Sequence, residues 1–328
     1  MLRDAVLTIL KERGGYVSGA EISRELHVTR MAVSNAVRAL RDEGYEIDAV
    51  TNRGYLLRES ADRLTAGDVY PYLPPERREL VRCLESVDST NTYLKREAMA
   101  GAADGLCAVA NEQTAGRGRS GRSFASAPDC GVYFSILMRP DCAPADAVTL
   151  TAHTAVAVCR ALEDACGVRA GIKWTNDIVL GTHKICGILT EMSVEGESGA
   201  LEYVVAGIGV NANNAPEDFP PELRQIAGSV FSETGVRVDR GKLAAALVRA
   251  MDEMYAAWQR DHRVYLEAYR ARCVTTGREV RLLRDGRERR AYAEAVTDDF
   301  GLLVRYDDGT REEITSGEVS VRGLFGYA

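Results

Sequence analysis

Apolar positions recur at helical spacing at the start of the chain. Leu2, Val6, Leu7, Ile9 and Leu10 predict a first helix, which Gly14-Gly15 closes. Ser18, with Glu21 after it, has the form of a capping box for a short second helix whose apolar face is Ile22 and Leu26. After a tight turn at His27-Val28, Thr29 can cap a third helix, Arg30 to Glu43, which places Val33, Ala36, Val37 and Leu40 inward until Gly44 ends it. The pattern then changes to that of strands: Tyr45 to Val50 and Tyr55 to Leu57 predict a pair joined by the turn Thr51-Asn52-Arg53-Gly54. Polar Glu59 to Arg63 and the prolines Pro71, Pro74 and Pro75 mark the boundary of the next unit.

In that unit Thr92 to Met99 predicts a helix, entered through Glu85-Ser86-Val87-Asp88-Ser89-Thr90-Asn91. A hydroxyl or amide in this stretch serves as the helix cap or, clustered as they are, holds a small polar ligand. Leu106 to Asn111 and Gly131 to Met138 predict buried strands, and Thr149 to Cys166 a core helix through Ala152, Ala155, Val156, Cys159 and Leu162. A hairpin follows, with Gly171 to Leu180 as one arm, Gly181-Thr182 as the turn and His183 to Glu191 as the other arm. In that register Val179 faces Lys184 and Asp177 faces Cys186, so Asp177 and Lys184 become diagonal neighbours on one face. The pair reads either as a surface salt bridge or as part of a site. Leu201 to Asn211 predicts another buried strand, interrupted by Gly207 and Gly209, where something approaches the backbone closely. Lys242 to Arg260 carries a core stripe of Leu243, Leu247, Met251, Met254 and Trp258. From Cys273 the pattern becomes short strands, Arg278 to Leu283, Arg289 to Thr297, Gly301 to Tyr306 and Glu312 to Val321, with turns at Asp285-Gly286, Asp298 to Gly301 and Asp307 to Gly309. Together these suggest a small β-barrel.

Between the two strands that end at Asn111 and begin at Gly131 lies Gln113-Thr114-Ala115-Gly116-Arg117-Gly118-Arg119-Ser120-Gly121-Arg122-Ser123-Phe124. Gly116, Gly118 and Gly121 satisfy the dinucleotide fingerprint in form, but no helical period follows Gly121 and Pro128 precedes the next strand, so that reading is rejected. What remains is a loop whose glycines permit close backbone approach and whose Arg117, Arg119 and Arg122 can fork onto a carboxylate or phosphate, the alternative being a solvated basic loop.

The helix-turn-helix followed by two strands resembles a winged helix-turn-helix domain. On its third helix Arg30, Ser34, Arg38 and Arg41 share an exposed face with Asn35 beside them, and no acidic residue occurs between Thr29 and Arg41. Arginine and asparagine make bidentate contacts to guanine and adenine edges, and Arg53 at the wing tip can add a phosphate contact. The competing reading is a small helical domain for protein contacts, because Met1 to Ser60 holds nine Lys or Arg against nine Asp or Glu. The net charge of -7 excludes a generic nucleic-acid binder but leaves room for a local basic face. The chain of 328 residues has no apolar run of membrane-span length and starts Met-Leu-Arg-Asp, unlike a signal peptide, so a cytoplasmic protein without membrane partners is expected. Eight scattered cysteines without a C-x-x-C pair, and only four histidines, suit reduced thiols and give no metal site.

The set Asp88-Ser89-Thr90-Asn91, Gln113 to Gly121, Lys173-Trp174-x-Asn176-Asp177, Lys184-x-x-Gly187-Ile188-Leu189 and Gly207-x-Gly209-x-Asn211 resembles the biotin protein ligases, and with Met1 to Leu57 in front of it the bifunctional kind that is also a biotin operon repressor. The C-terminal stretch Gly317 to Arg322 extends the likeness across the chain. The resemblance implies an α/β (α+β) protein with a winged helix-turn-helix over 1–60, a mixed-sheet ligase domain resembling class II synthetases over 64–271, and a small SH3-like β-barrel over 273–328. It implies that biotin and MgATP give biotinyl-5′-adenylate, and that a lysine of a biotin carboxyl carrier protein then takes the biotin. By motif, Ser89, Thr90, Asn91 and Gln113 would hold the biotin head group, while Gly116, Arg117, Gly118 and Arg119 would close over carboxylate and phosphate. Phe124 would wall the ligand, Lys184 beside Gly187 would contact biotin or the acyl phosphate, and Asn211 the adenine side. Arg119, Lys184 and Asp177 are the expected catalytic set, Asp177 orienting or deprotonating the acceptor amine. Operator DNA and a homodimer formed with bound adenylate are the other implied partners. Two departures stand out: Phe124 where the family commonly has tryptophan, and Thr175 where proline usually precedes Asn-Asp. The rivals are a lipoate-type ligase and a regulator that senses a ligand without catalysis.

Overall fold

The computed structural model describes residues 2–284, 287–315 and 318–321, without the side chains of Ser120, Arg284, Arg287 and Glu318. Helices α1 (Leu2–Arg13), α2 (Gly19–Glu25) and α3 (Arg30–Asp42) are followed by the hairpin β1 (Glu46–Val50) and β2 (Gly54–Glu59). Ser18 and Thr29 cap α2 and α3 by accepting the backbone N-H of Glu21 and Ala32. Val6, Leu7, Leu10, Ile22, Val33 and Leu40 form a core separate from the rest of the chain. At the wing, Gly54 has φ 101°, and a Cβ there would lie 2.1 Å from the Val17 carbonyl oxygen, so glycine is required on both counts.

This unit is fixed to the next by Asp68, which is 1% exposed on the short helix α4 (Ala66–Val69). Lys11 Nζ and the Tyr45 hydroxyl each donate to its carboxylate at 2.7 Å. Burial, reinforced by the Asp68 charge, pushes the Tyr45 phenol well above its ordinary pKa, so it stays a donor at all physiological pH.

After α5 (Pro75–Arg78) comes a seven-stranded mixed sheet, ordered β3 (Val81–Val87), β4 (Cys107–Gln113), β5 (Gly131–Met138), β9 (Leu201–Asn211), β8 (His183–Val194), β7 (Asp177–Leu180) and β6 (Gly171–Lys173). The β3 and β4 pair is parallel and the others are antiparallel. The continuous apolar run of β5 is buried at every position, as expected of a central strand covered on both faces. One face carries α8 (Leu150–Cys166), which follows the turn α7 (Pro144–Ala147), and, after α9 (Val230–Thr234), α10 (Arg240–Trp258), whose predicted stripe from Leu243 to Trp258 is wholly buried. The other face carries α6 (Thr90–Met99), packed through Leu94 and Ala98 on Ala108, Leu137 and Val205.

Two expectations about this sheet change. The single arm Gly171 to Leu180 is two strands, because the chain turns at residues 174–176 and buries Trp174 against the C-terminal unit, where its Nε1 donates to the Phe300 carbonyl at 2.8 Å. The Trp174–Thr175 peptide is cis. In the hairpin Val179 faces Lys184 as expected, but a bulge makes Asp177 pair with Gly187 instead of Cys186.

Beyond α11 (Leu266–Arg272), an antiparallel sheet has the order β13 (Arg311–Ile314), β12 (Leu302–Arg305), β11 (Arg287–Val296), β10 (Arg278–Arg284), β14 (Glu318–Val321). The expected run Glu312 to Val321 is thus two strands on opposite ends of the sheet, and the expected turn Asp285-Gly286 lies outside the described residues. Val280, Leu282, Ala293 and Val304 join the same apolar core as the central sheet, so this unit is packed onto the central one. All eight cysteines are free, and among the described residues no helix is long and apolar enough to cross a membrane.

Candidate functional site

Beyond the N-terminus of α6 the sheet surface is bare, and a cleft of about 1000 Å³ opens there. Its floor is made of glycines. Gly209 lies opposite both Tyr133 and Gly187, and Gly207 opposite Ser135 and Leu189, so all share one face of the sheet. A Cβ on Gly207 would lie 2.1 Å from Asn91 Oδ1, and one on Gly209 2.5 Å from the Phe124 ring. The missing side chains are what let Asn91 and Phe124 reach the backbone.

Ser89 stands at the N-cap position of α6 but makes no side-chain cap bond, and Thr90 and Asn91 turn inward, each 3% exposed. Ser135 donates at 2.7 Å to Thr90 Oγ1 or Asn91 Oδ1, and Gln113 Oε1 accepts the Thr90 backbone N-H at 2.8 Å. Asn91 Nδ2 donates to Glu191 Oε2 at 2.9 Å and lies 3.2 Å from the Leu189 carbonyl. These side chains are therefore held in place by one another. Burial works against the Glu191 carboxylate, but hydrogen bonds from Asn91 and Lys95 outweigh it and leave its pKa below the ordinary value.

The glycine-arginine loop folds over the cleft as an irregular hairpin. Gly118 N-H donates to the Arg122 carbonyl at 2.7 Å and Phe124 N-H to the Gly116 carbonyl at 2.9 Å, and after the short turn 119–121 the chain runs on to β5 without the α-helix that the rejected fingerprint would need. Arg119 Nη1 donates to Asn176 Oδ1 at 2.8 Å, and Arg117 approaches Glu191 at 3.7 Å. Across the cleft, Lys184 Nζ is 2.6 Å from Asp177 Oδ1, while Lys173 Nζ is 3.7 Å from the second oxygen of that carboxylate. Asp177 is thereby flanked by two ammonium groups. Among the described lining residues the cations Arg117, Arg119, Arg122, Lys173, Lys184 and Arg281 outnumber the carboxylates Asp177 and Glu288, so the cleft suits a polyanion. Among the described residues no three His, Cys, Asp or Glu side chains converge as a metal site.

The structure brings Ser89, Thr90, Asn91, Gln113, Arg117, Gly118, Arg119, Phe124, Asp177, Lys184 and Gly187 into one cleft. Two expected members lie elsewhere. Asn211 is 5% exposed and donates to the Gly228 carbonyl at 2.9 Å, which ties it to the loop whose Ile226 lines the cleft, and Gly116 packs inside the hairpin, where a Cβ would meet the Phe124 carbonyl at 2.4 Å. Lining residues that sequence reasoning missed include Asn176, Ile226 and, from the C-terminal sheet, Leu283, Val319 and Ser320. Only Asn176 had a signal, its place in the Lys-Trp-x-Asn-Asp motif.

On the winged unit, Arg30, Ser34, Asn35 and Arg38 are exposed along α3, with Arg38 donating to Asn35 Oδ1. Arg53 lies over the Tyr16 ring, 4.2 Å from its centroid. Arg41 is exposed on the same helix, and its guanidinium also donates to the Ile47 carbonyl, tying α3 to the wing.

Residues 83–211 match the Biotin/lipoate A/B protein ligase family, 3–56 an HTH domain and 275–322 the Biotin protein ligase C terminal domain. The chain is 35% identical over 256 residues to the bifunctional ligase/repressor BirA of Bacillus subtilis, covering 77% of this chain and 78% of that one. It is 28% identical to the BirA of Escherichia coli over 96% of both chains. The biotin protein ligase of Aquifex aeolicus, solved with biotin and ATP, superposes with a TM-score of 0.62 at 27% identity, over 74% of this chain and 98% of that one. A cationic, glycine-floored cleft on this sheet, preceded by a winged helix and followed by the small antiparallel sheet, is accounted for in one way: the chain belongs to the biotin protein ligases, in their bifunctional ligase/repressor form.

Proposed function

We propose that the cleft runs both half-reactions of a biotin protein ligase through the residues converging on it. In the first, a carboxylate oxygen of biotin attacks the α-phosphorus of MgATP, the bond to the β-phosphate oxygen breaks, and pyrophosphate leaves. Two anions must meet, so the reaction needs fixed cations and backbone N-H groups around the α-phosphate. Lys184 on one wall and Arg117, Gly118 and Arg119 on the other supply them. Ser89, Thr90 and Gln113 hold the biotin head group, with Asn91 as the bonded wall behind them and Phe124 as the apolar side. Mg²⁺ enters with ATP, held mainly by phosphate oxygens, as is usual for this ion.

In the second half-reaction the acceptor amine attacks the acyl carbon, the carbon-oxygen bond of the mixed anhydride breaks, and AMP leaves. The ammonium must first lose a proton. Asp177 lies at the cleft wall to accept its hydrogen bond and draw that proton, and the acceptor is a lysine of a biotin carboxyl carrier protein. The observation that carries this reading is the glycine floor, because it brings the Phe124 wall and the polar Thr90 and Asn91 against the sheet beside the Lys184 and Asp177 pair.

Mass spectrometry of the small molecule retained after incubation with MgATP and either biotin or lipoate tests it. Biotinyl-adenylate is expected; lipoyl-adenylate would assign the lipoate branch, and no adenylate from either acid would leave a ligand sensor.

The same reading divides the chain into domains at 1–60, 64–271 and 273–328 and places it in the cytoplasm. The winged domain binds a two-fold symmetric operator as a homodimer formed with bound adenylate. Arg30, Ser34, Asn35 and Arg38 face the major groove, and Arg53 at the wing reaches phosphate while Arg41 buttresses the helix. Arg38→Ala is expected to weaken binding to a duplex selected from random DNA about tenfold and to lessen its salt dependence, with ligation unchanged. Equal loss of ligation in the same variant would contradict the division of labour.

A further inference from the structure

Arg240, the first residue of α10, has a fully buried side chain and is not among the residues lining the cleft. Its guanidinium is shared between two parts of the chain. On one side Nη1 donates to Asn111 Oδ1 at 3.0 Å and to the Gly131 carbonyl at 3.1 Å, and Nη2 lies 3.9 Å from Asp129. Asn111 in turn donates to Asp129 at 3.0 Å. These are the two stems of the hairpin that carries Arg117, Arg119 and Phe124 over the cleft. On the other side Nε is 2.9 Å from Asp62, and Nη2 donates to the Asp62 carbonyl. Asp62 belongs to the connection between the winged unit and the sheet, and it is held further by Asn213 Nδ2 at 2.8 Å. A few residues on, Asp68 anchors the same connection through Lys11 and Tyr45.

We propose that Arg240 is a positioning residue for the ligand-covering hairpin, and that Asp62 of the interdomain connection sets where Arg240 sits. A buried guanidinium needs a fixed counter-charge and filled donors, or it shifts to find them. Here the counter-charge is on the connection and the remaining donors are spent on the hairpin stems. Loosening Asp62 therefore lets Asn111 and Gly131 move relative to each other, and the hairpin swings with them. The effect falls on how long a covered ligand is kept, since Asp62 and Arg240 touch neither Lys184 nor Asp177. The inference rests on the cleft reading given above.

The test is the release of preformed labelled biotinyl-adenylate into an unlabelled chase, beside its rate of formation at saturating biotin and MgATP. Asp62→Asn, nearly isosteric and without the charge, is expected to speed release at least fivefold while formation stays within twofold of the unsubstituted chain. Asp129→Asn provides a second variant at an exposed position whose φ of 59° asparagine accepts, and release should quicken there too, by less. Release unchanged in both folded variants overturns the proposal, as does a loss of formation that matches the loss of retention, which would mark general destabilisation. An unsubstituted chain that retains no adenylate overturns the cleft reading and this inference with it.

Discussion

Lys184→Ala is expected to slow biotinyl-adenylate formation by about 100- to 1000-fold, the usual consequence of deleting one preorganised donor from a site of developing charge. Lys184 Nζ lies against Asp177 at 2.6 Å and beside the glycine floor at Gly187. In that position it offers a charge to the reacting carboxylate and phosphate without having to move far. The variant is a fair test because Asp177 keeps a cation: Lys173 remains 3.7 Å away, and the Asp177 and Lys184 side chains are 17% and 32% exposed, so no buried charge is stranded. Pyrophosphate release in a single turnover measures the first half-reaction directly. Lys184→Arg, which keeps the charge but forks it, should recover part of the rate and not all of it. A variant that forms adenylate at the unsubstituted rate but fails to transfer biotin would move Lys184 to the second half-reaction.

Hairpin register explains how the pair was readable and why its geometry was not. The Gly181-Thr182 turn places Val179 opposite Lys184, and from there alternation brings Asp177 to the same face. The bulge between Ile178 and Val179 changes the partner of Asp177 to Gly187, and nothing in an alternating pattern announces an inserted residue. The capped helices of the winged unit were legible for a local reason: Ser18 and Thr29 act on the backbone only three residues away. Trp174 shows the opposite case. Its apolar neighbours read as one strand, but its indole is claimed by Phe300, far along the chain, and the strand breaks to reach it. Asn211 is expected on the adenine side from its place in the Gly-x-Gly-x-Asn motif, and Arg41 on the exposed face of α3 from its helical spacing. Neither pattern announces the carbonyl each one satisfies, Gly228 for Asn211 and Ile47 for Arg41, because those partners come from other segments. Arg240 gave no signal at all, since an arginine at a helix start is ordinary until the three segments around it are folded against it.

Arg119→Ala, which also removes a cation from around the α-phosphate, should slow adenylate formation and in addition let the adenylate that does form escape about 30 times faster. The side chain spans the cleft, from the glycine hairpin to Asn176 Oδ1 at 2.8 Å, while Asn176 Nδ2 donates to the Ile188 carbonyl at 2.8 Å. Asn176 is thus already fixed to β8, and Arg119 uses it as a catch that holds the hairpin shut. A hydrogen bond with one charged partner contributes about 2 kcal/mol, which is about thirtyfold in an escape rate if the bond must break before the ligand leaves. Removing it does not strand Asn176 in a dry interior, because the cleft is open to water beside it. The escaped anhydride can acylate exposed lysines of bystander proteins, so labelling of an added non-acceptor protein such as serum albumin provides a second readout. Retention equal to that of the unsubstituted chain would mean that the hairpin is held by its own Gly118 and Phe124 backbone bonds and that Arg119 acts on the ligand alone. Asn176→Ala separates these cases, since it removes the catch without touching the arginine charge: fast escape in both variants identifies the catch, and fast escape in Arg119→Ala alone identifies direct contact with the adenylate.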